Sequence, residues 1–261
     1  MNIATWNINS IRLRMSNILK FIKDKKIDVI CLQETKVIDE LFPLEEFNKL
    51  GFAYAHFRGE KSYNGVATLS KLPIKKKHHL NWCGLEDTRH IATTLSNNII
   101  IHNFYVPAGG DVADVKENIK FKHKINFLME MIDVFSKDKS KKKILLGDLN
   151  IAPLENDVWS HKQLLKVVSH TKKETDLFKD FVLKGKWVDA VRLKILENQK
   201  VYSWWSYRNK DWKKSNRGRR LDHILVSQDL TNSIAEIKVY KEIRGIEKPS
   251  DHVPISIKVK L

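Results

Sequence analysis

The sequence predicts a layered α/β domain with two packed sheets, continuous over residues 1–261. Three observations carry this. Short β-branched runs alternate with helical patterns from one end of the chain to the other. Several of the runs are apolar at every position, as in strands covered on both faces. No Gly/Ser/Pro-rich linker or internal repeat divides the chain. A composition of 42% hydrophobic and 30% charged residues reads as soluble and globular. The longest apolar stretches, such as 27–32 and 99–106, are too short to cross a bilayer.

Taken in order, the chain opens on a patterned segment expected as a strand over 3–8, then a helical pattern over 16–26. The apolar run at 28–33 predicts a second strand, and 43–50 a short helix. Four strands should follow at 52–57, 65–70, 91–95 and 99–106. A longer helix is expected over 114–135, where Val115, Ile119, Ile125, Leu128, Met129 and Ile132 fall on one stripe. Asp114, with Glu117 three residues later, looks like its start. Further strands are expected at 144–147, 201–206, 221–227 and 254–259, and a helix at 173–183. The lysine runs 75–77 and 141–143 read as solvated flanks of strands.

Charge narrows the partner. Forty-seven Lys plus Arg against 31 Asp plus Glu give a net charge of +16, which favours a polyanion through counterion release. Two cysteines cannot build a disulfide framework. Cys31 sits in an apolar run as a small core residue, and the chain is expected in a reducing cytoplasm, with no signal pattern at its start.

The chemistry gathers where buried strands end. The first ends in Asn7 and Asn9, the second in Gln33-Glu34-Thr35-Lys36, a central one in Gly147-Asp148-Leu149-Asn150. Near the C-terminus stand Arg220-Leu221-Asp222 and Ser250-Asp251-His252. Ligands of α/β sheets collect at strand ends, so these segments are expected to converge. Singly, each is bland: an Asn at a strand end is usually a turn former. Jointly, with the basic balance, they fit metal-assisted phosphodiester cleavage. Mg²⁺, or Mn²⁺ in its place, needs hard oxygens, and Glu34 is the first metal-ligand candidate, Asp251 the second. Carboxamides such as Asn7 and Asn150 orient water and phosphate without adding negative charge. His252 can donate to a phosphate or accept a proton, with Asp222 as its expected carboxylate partner.

These same residues resemble the exonuclease III family of abasic-site endonucleases, within the endonuclease/exonuclease/phosphatase superfamily. The resemblance rests on Thr5-Trp6-Asn7-Ile8-Asn9, Leu32-Gln33-Glu34-Thr35-Lys36, Phe42-Pro43-Leu44-Glu45-Glu46 and Tyr105-Val106-Pro107, then on 147–153, Arg220-Leu221-Asp222 and 248–254, in this order. It implies a four-layer sandwich of two mixed sheets between helices. It also implies hydrolysis 5′ of abasic sites in double-stranded DNA, with 3′-to-5′ exonuclease and 3′-end-cleaning activity, by a monomer without membrane contact. Carried over residue by residue, Glu34 becomes the metal ligand, Asn7 an orienter of phosphate and water, and Asn7 and Asp251 are grouped with Glu34 at the metal. Asp148 positions or deprotonates the attacking water, Asn150 and Tyr105 orient phosphate and water, and His252 paired with Asp222 contacts the phosphate. The segment Tyr202-Ser203-Trp204-Trp205-Ser206-Tyr207-Arg208 resembles the family's aromatic pocket for a flipped-out sugar. The basic stretch after it, with Trp212, Lys213, Lys214, Arg217 and Arg219, is expected on the DNA backbone. Three departures stand out. Asn9 replaces the Asp of many relatives, Ala108 follows Pro107 where some have a polar residue, and Arg219 stands at an apolar pocket position. The readings left open beside this one are a phosphatase of the same superfamily acting on inositol phosphates and a non-catalytic DNA-binding protein.

Overall fold

Alternate residues of the apolar runs enter different cores, which is why these runs become sheets covered on both sides. The computed structural model describes residues 1–260. Its first part runs β1 (Asn2–Asn7), α1 (Ile11–Asp24), β2 (Val29–Gln33), α2 (Leu44–Asn48), β3 (Tyr54–Glu60) and β4 (Tyr63–Ser70). Next come β5 (Ile74–His78), β6 (His90–Leu95), β7 (Ile100–Tyr105), α3 (Ile119–Lys137) and β8 (Lys143–Asp148). The remainder is α4 (His161–Leu164), α5 (Lys172–Lys184), β9 (Trp187–Asp189), β10 (Trp204–Trp205), α6 (Trp212–Ser215), β11 (Gly218–Arg219), β12 (Asp222–Ser227), β13 (Ile234–Val239) and β14 (Ile255–Val259).

Two mixed six-stranded sheets result, ordered β13-β14-β1-β2-β4-β3 and β5-β6-β7-β8-β12-β9. Each has one parallel pair at its centre, β1 with β2 and β7 with β8, and antiparallel neighbours elsewhere. The crossovers of these parallel pairs contain α1 and α3. Ile3, Cys31, Ile101, Ile144 and Ile224 fill the core between the sheets. Ala4, Trp6, Ile30 and Leu32 point the other way, onto Ile18, Phe21 and Ile22 of α1. Leu145 and Leu225 likewise pack against Phe127 and Phe135 of α3 and Phe181 of α5. Each fully buried Ile, Leu or Phe among them contributes roughly 1.5–3 kcal/mol relative to exposure. Helix, sheet, sheet, helix is the four-layer order that the resemblance implied.

The departures have local causes. α1 begins at Ile11 rather than 16, behind Ser10 at φ 94° with no side-chain cap bond, so no capping residue marks it. α3 begins at Ile119 behind Asn118, whose side chain accepts from the Lys120 amide. Asp114 instead closes a separate turn onto the Lys116 and Glu117 amides. The strand expected over 201–206 shrinks to Trp204–Trp205, paired only with the two residues of β11. The lysines at 75–77 lie within edge strand β5 and are exposed, a charged rim that discourages edge-to-edge pairing. Lys143 is buried instead, 3.0 Å from Asp138. No helix among the described residues is long and apolar enough to cross a membrane.

Candidate active site

Strand register alone assembles half of the site. In the second sheet Tyr105 of β7 lies beside Asp148 of β8, and Asp148 lies directly opposite Asp222 of β12. Two facing carboxylates on adjacent strands repel, and the imidazole of His252 sits between them. Its Nδ1 is 2.8 Å from Asp222 Oδ2, and its Nε2 is 3.6 Å from Asp148 Oδ2. Gly147, at φ 133°, makes the close approach of β8 to β7 feasible, because an added Cβ would stand 2.0 Å from the Phe104 carbonyl oxygen.

The first sheet supplies the rest. Asn7, at the end of β1, donates from Nδ2 to Asp148 Oδ2 and to Glu34 Oε1, both at 2.8 Å. Its Oδ1 accepts from the Asn9 amide at 3.1 Å. Glu34 leaves β2 through left-handed backbone, and Asn9, Ser10, Lys36 and Asn150 share that conformation at the same rim. A non-glycine residue held there costs about 1–2 kcal/mol, strain that packing elsewhere must offset. Asn150 is fixed by its Nδ2 on the Val106 carbonyl at 2.9 Å and its amide on Asp148 Oδ1 at 2.9 Å. The loop carrying His252 is tied to β1, since Ser250 Oγ donates to the Asn7 carbonyl at 2.7 Å and Trp6 Nε1 to the His252 carbonyl at 3.1 Å.

Electrostatics follow from burial and these contacts. Burial pushes the Asp148 carboxyl up to about 7, with Asp222 and Glu34 adding to the rise and His252 and Asn7 opposing it. For His252, burial alone would lower the pKa. Asp222 and Asp148 outweigh it and push the imidazole up to about 10. Burial, then Glu34 and Asp148, holds the Tyr105 phenol well above its ordinary range, so at neutral pH it is a proton donor. Asp251 titrates below the usual range: burial would raise it, but His252, the Trp204 indole N–H (3.0 Å) and Asn9 Nδ2 (3.2 Å) prevail.

The donor set suits a hard divalent cation. One ligand atom each of Asp148, Asp222 and His252 lie within 4.8 Å of one another, but the imidazole already bridges those two carboxylates, and Glu34 and Asp251 are further carboxylates lining the rim. A cationic group already rests on this rim: Lys36 Nζ lies 2.8 Å from Glu34 Oε2 and 2.6 Å from Asn9 Oδ1.

A cavity of about 750 Å³ opens here, lined at one end by Glu34, Tyr105, Asp148, Asn150, Asp251 and His252. Trp159, Trp204, Arg208, Arg217 and Arg219 line the rest. The two expected tryptophans separate: Trp204 is half-buried in the cavity wall, whereas Trp205 is fully buried against Tyr202 and Val253. Trp205, expected among the DNA-contacting residues, therefore has no surface to offer a ligand. Trp212 packs edge-on against Trp205 at 5.4 Å, and Lys213 and Lys214 are exposed on α6 outside the cavity wall.

Some site residues gave no signal in the sequence. Trp159 stands outside every motif, and Arg89 lies with its guanidinium 5.0 Å from the Tyr105 ring centroid. Lys124, fully buried in an ion pair with Glu174, donates to the Asn150 carbonyl at 2.7 Å.

Residues 4–252 match the model of the endonuclease/exonuclease/phosphatase family. The chain belongs to that family. Exodeoxyribonuclease III of Haemophilus influenzae is 34% identical, with 98% of each chain covered. Among solved structures, an AP endonuclease from Archaeoglobus fulgidus superposes with a TM-score of 0.90 at 30% identity, covering all of both chains. A 3′ phosphatase from Neisseria, bound to a product DNA hairpin, gives a TM-score of 0.92 at 28% identity, again over both full chains. This member of the endonuclease/exonuclease/phosphatase family thus shares its whole length with nucleases and a DNA 3′ phosphatase.

Proposed function

We propose that the protein is an exodeoxyribonuclease III-type phosphodiesterase of base-excision repair. It cuts double-stranded DNA 5′ of abasic sites and trims and cleans 3′ ends, as one monomeric catalytic domain in the cytoplasm. The observation that carries this reading is the His252 imidazole clasped between Asp222 and Asp148, while Asn7 ties Asp148 to Glu34. Glu34, with Asp251 and Asn7 beside it, would hold Mg²⁺, for which Mn²⁺ substitutes. When bound, the ion supplies charge compensation for the phosphate.

The chain's own groups then divide the work. Asp148, poised near neutrality, takes a proton from the attacking water, as an efficient general base should. His252 keeps its proton, because two carboxylates stabilise the imidazolium, so it neutralises charge on the phosphate rather than acting as base. Water oxygen bonds to phosphorus, the P–O3′ bond breaks, and the 3′ oxygen takes a proton, with the Tyr105 phenol as the nearby donor. Asn150 orients the water. Arg208, Arg217 and Arg219 face the DNA from the cavity wall, and Lys213, Lys214 and Trp212 lie on the flanking loop.

The test uses one duplex with a single synthetic abasic site and another with a recessed 3′ end, each with Mg²⁺ or EDTA. Cutting at the lesion to a free 3′ hydroxyl, abolished by EDTA, is expected. Turnover of inositol phosphates without cutting of either DNA would replace this reading with the phosphatase.

A further inference from the structure

Arg219 and Arg220 are adjacent in sequence and opposite in circumstance. Arg220 is fully buried, and its guanidinium is shared by Asp157, at 2.7 and 2.8 Å, and Asp189, at 2.7 Å. Arg219 lines the cavity, its guanidinium carbon 5.4 Å from the Trp204 ring centroid. Its hydrogen bonds to the protein both leave from Nη1, to the Val168 carbonyl at 3.0 Å and Ser169 Oγ at 2.9 Å. Among the described residues no carboxylate forms an ion pair with it. The acid whose charge it feels, Glu174, is already engaged by Lys124 and by the amides of Ser169 and Thr171. A half-buried guanidinium that lacks a counter-ion loses solvation without regaining it, unless an anion arrives with the ligand.

The cavity is therefore bipolar. Glu34, Asp148 and Asp251 hold one end, and Arg219, with Arg217 stacked 4.7 Å from the Trp159 ring centroid, holds the other. Trp204 pairs with Arg219 on one side and bridges to His252 on the other, so what hangs from a scissile phosphate beside His252 would face Arg219. A baseless deoxyribose is neutral there and gives Arg219 nothing to pair with. A terminal 3′ phosphate carries an additional anionic oxygen in place of the sugar ester, and nothing bulky that would lift Arg219 off Trp204.

We propose that Arg219 is a specificity-determining residue that turns the far end of the cavity into an anion-accepting subsite, so that 3′-phosphate ends are preferred over baseless sugars within a strand. This rests on the nuclease reading above. In the favoured reaction a water oxygen bonds to phosphorus, the P–O3′ bond breaks, the 3′ oxygen takes a proton and inorganic phosphate leaves.

The experiment compares wild type, Arg219→Leu and Arg219→Lys, as full chains with Mg²⁺. Two duplexes of one sequence are used, one nicked with a 3′ phosphate and one carrying an internal tetrahydrofuran. Wild type should favour the 3′ phosphate in kcat/KM, and Arg219→Leu should shrink that preference about tenfold or more, mainly by losing phosphate release. Arg219→Lys should retain most of it. An unchanged ratio in Arg219→Leu, an equal loss on both DNAs, or a wild type faster on the tetrahydrofuran would overturn the assignment while leaving the nuclease intact. Failure of wild type on both DNAs would instead remove the nuclease reading itself. Should thermal melting show Arg219→Leu unfolded, Arg219→Gln, neutral but still able to donate to Ser169, decides by the same ratio.

Discussion

The two ends of the cavity are built by different means. At the acidic end, Asp148, Asp222 and Tyr105 come from adjacent strands in fixed register, and Asn7 and Glu34 leave the ends of the other sheet's parallel pair. At the cationic end, Trp204 and Arg219 belong to a two-stranded ribbon of two residues each, and Arg217 lies in the loop before it. Backbone ladders hold the first end, and guanidinium groups resting on indoles help hold the second. On the proposed reading, chemistry that tolerates little displacement is placed on the sheets, and recognition on loops that can be remodelled without disturbing them.

Perturbing each end separately should break this contrast if it is wrong. Asp148→Asn keeps the Asn7 contact in shape but removes the base. It should lower kcat by about three decades or more with DNA affinity unchanged, and a loss below tenfold in single-turnover rate would take Asp148 out of that role. Asp157→Asn strikes a buried ion-pair network behind the cavity wall, because Arg220, next to Arg219 in the chain, and Arg192 both pair with it. Leaving these buried guanidinium groups short of charge should cost on the order of 3–5 kcal/mol in urea unfolding; a loss under 1 kcal/mol would mean that Asp189 suffices.

Acidity gives a finer probe. The rate should fall as pH drops through about 7, where Asp148 gains a proton, and fall again as pH rises through about 10, where His252 loses one. Asp222→Asn removes the main carboxylate holding that proton, so the alkaline limb of kcat should move down; a limb that stays put would assign it to another group. The smallest effect belongs to the loop. Neutralising Lys213, Lys214 and Arg217 together should flatten the salt dependence of DNA binding by up to about 0.9 in slope per lost phosphate contact. An unaltered slope would place the loop away from the backbone.

Legibility in the sequence follows the same division. The strands that lead to Asn7, Glu34, Tyr105 and Asp148 are short, largely apolar runs that end in polar residues, and Asp222 opens the strand facing Asp148, a pattern that suggests both strand and candidate site. Cys31, fully buried with its thiol pushed up to about 12, is the inert core residue expected. Strand β13 escaped notice because its burial alternates along Ile234–Val239 without an apolar run, and β5 because lysines fill it. The split between Trp204 and Trp205 was invisible as well: neighbours on a strand face opposite ways, and nothing local says which face is the cavity. Nor does the pair Arg219-Arg220 reveal that Arg220 is neutralised by Asp157, 63 residues away, while Arg219 has no carboxylate partner.

Strand β1 lies between β2 and β14, the Met1 amino group donates to the Val259 carbonyl at 2.9 Å, and Ser250 fastens the His252 loop onto Asn7. Until residues 250–259 have been made, a nascent chain thus lacks the His252 imidazole and β14, the outer neighbour of its first strand. A product halted before residue 250 should therefore fail to cut DNA at all, rather than cut it without control.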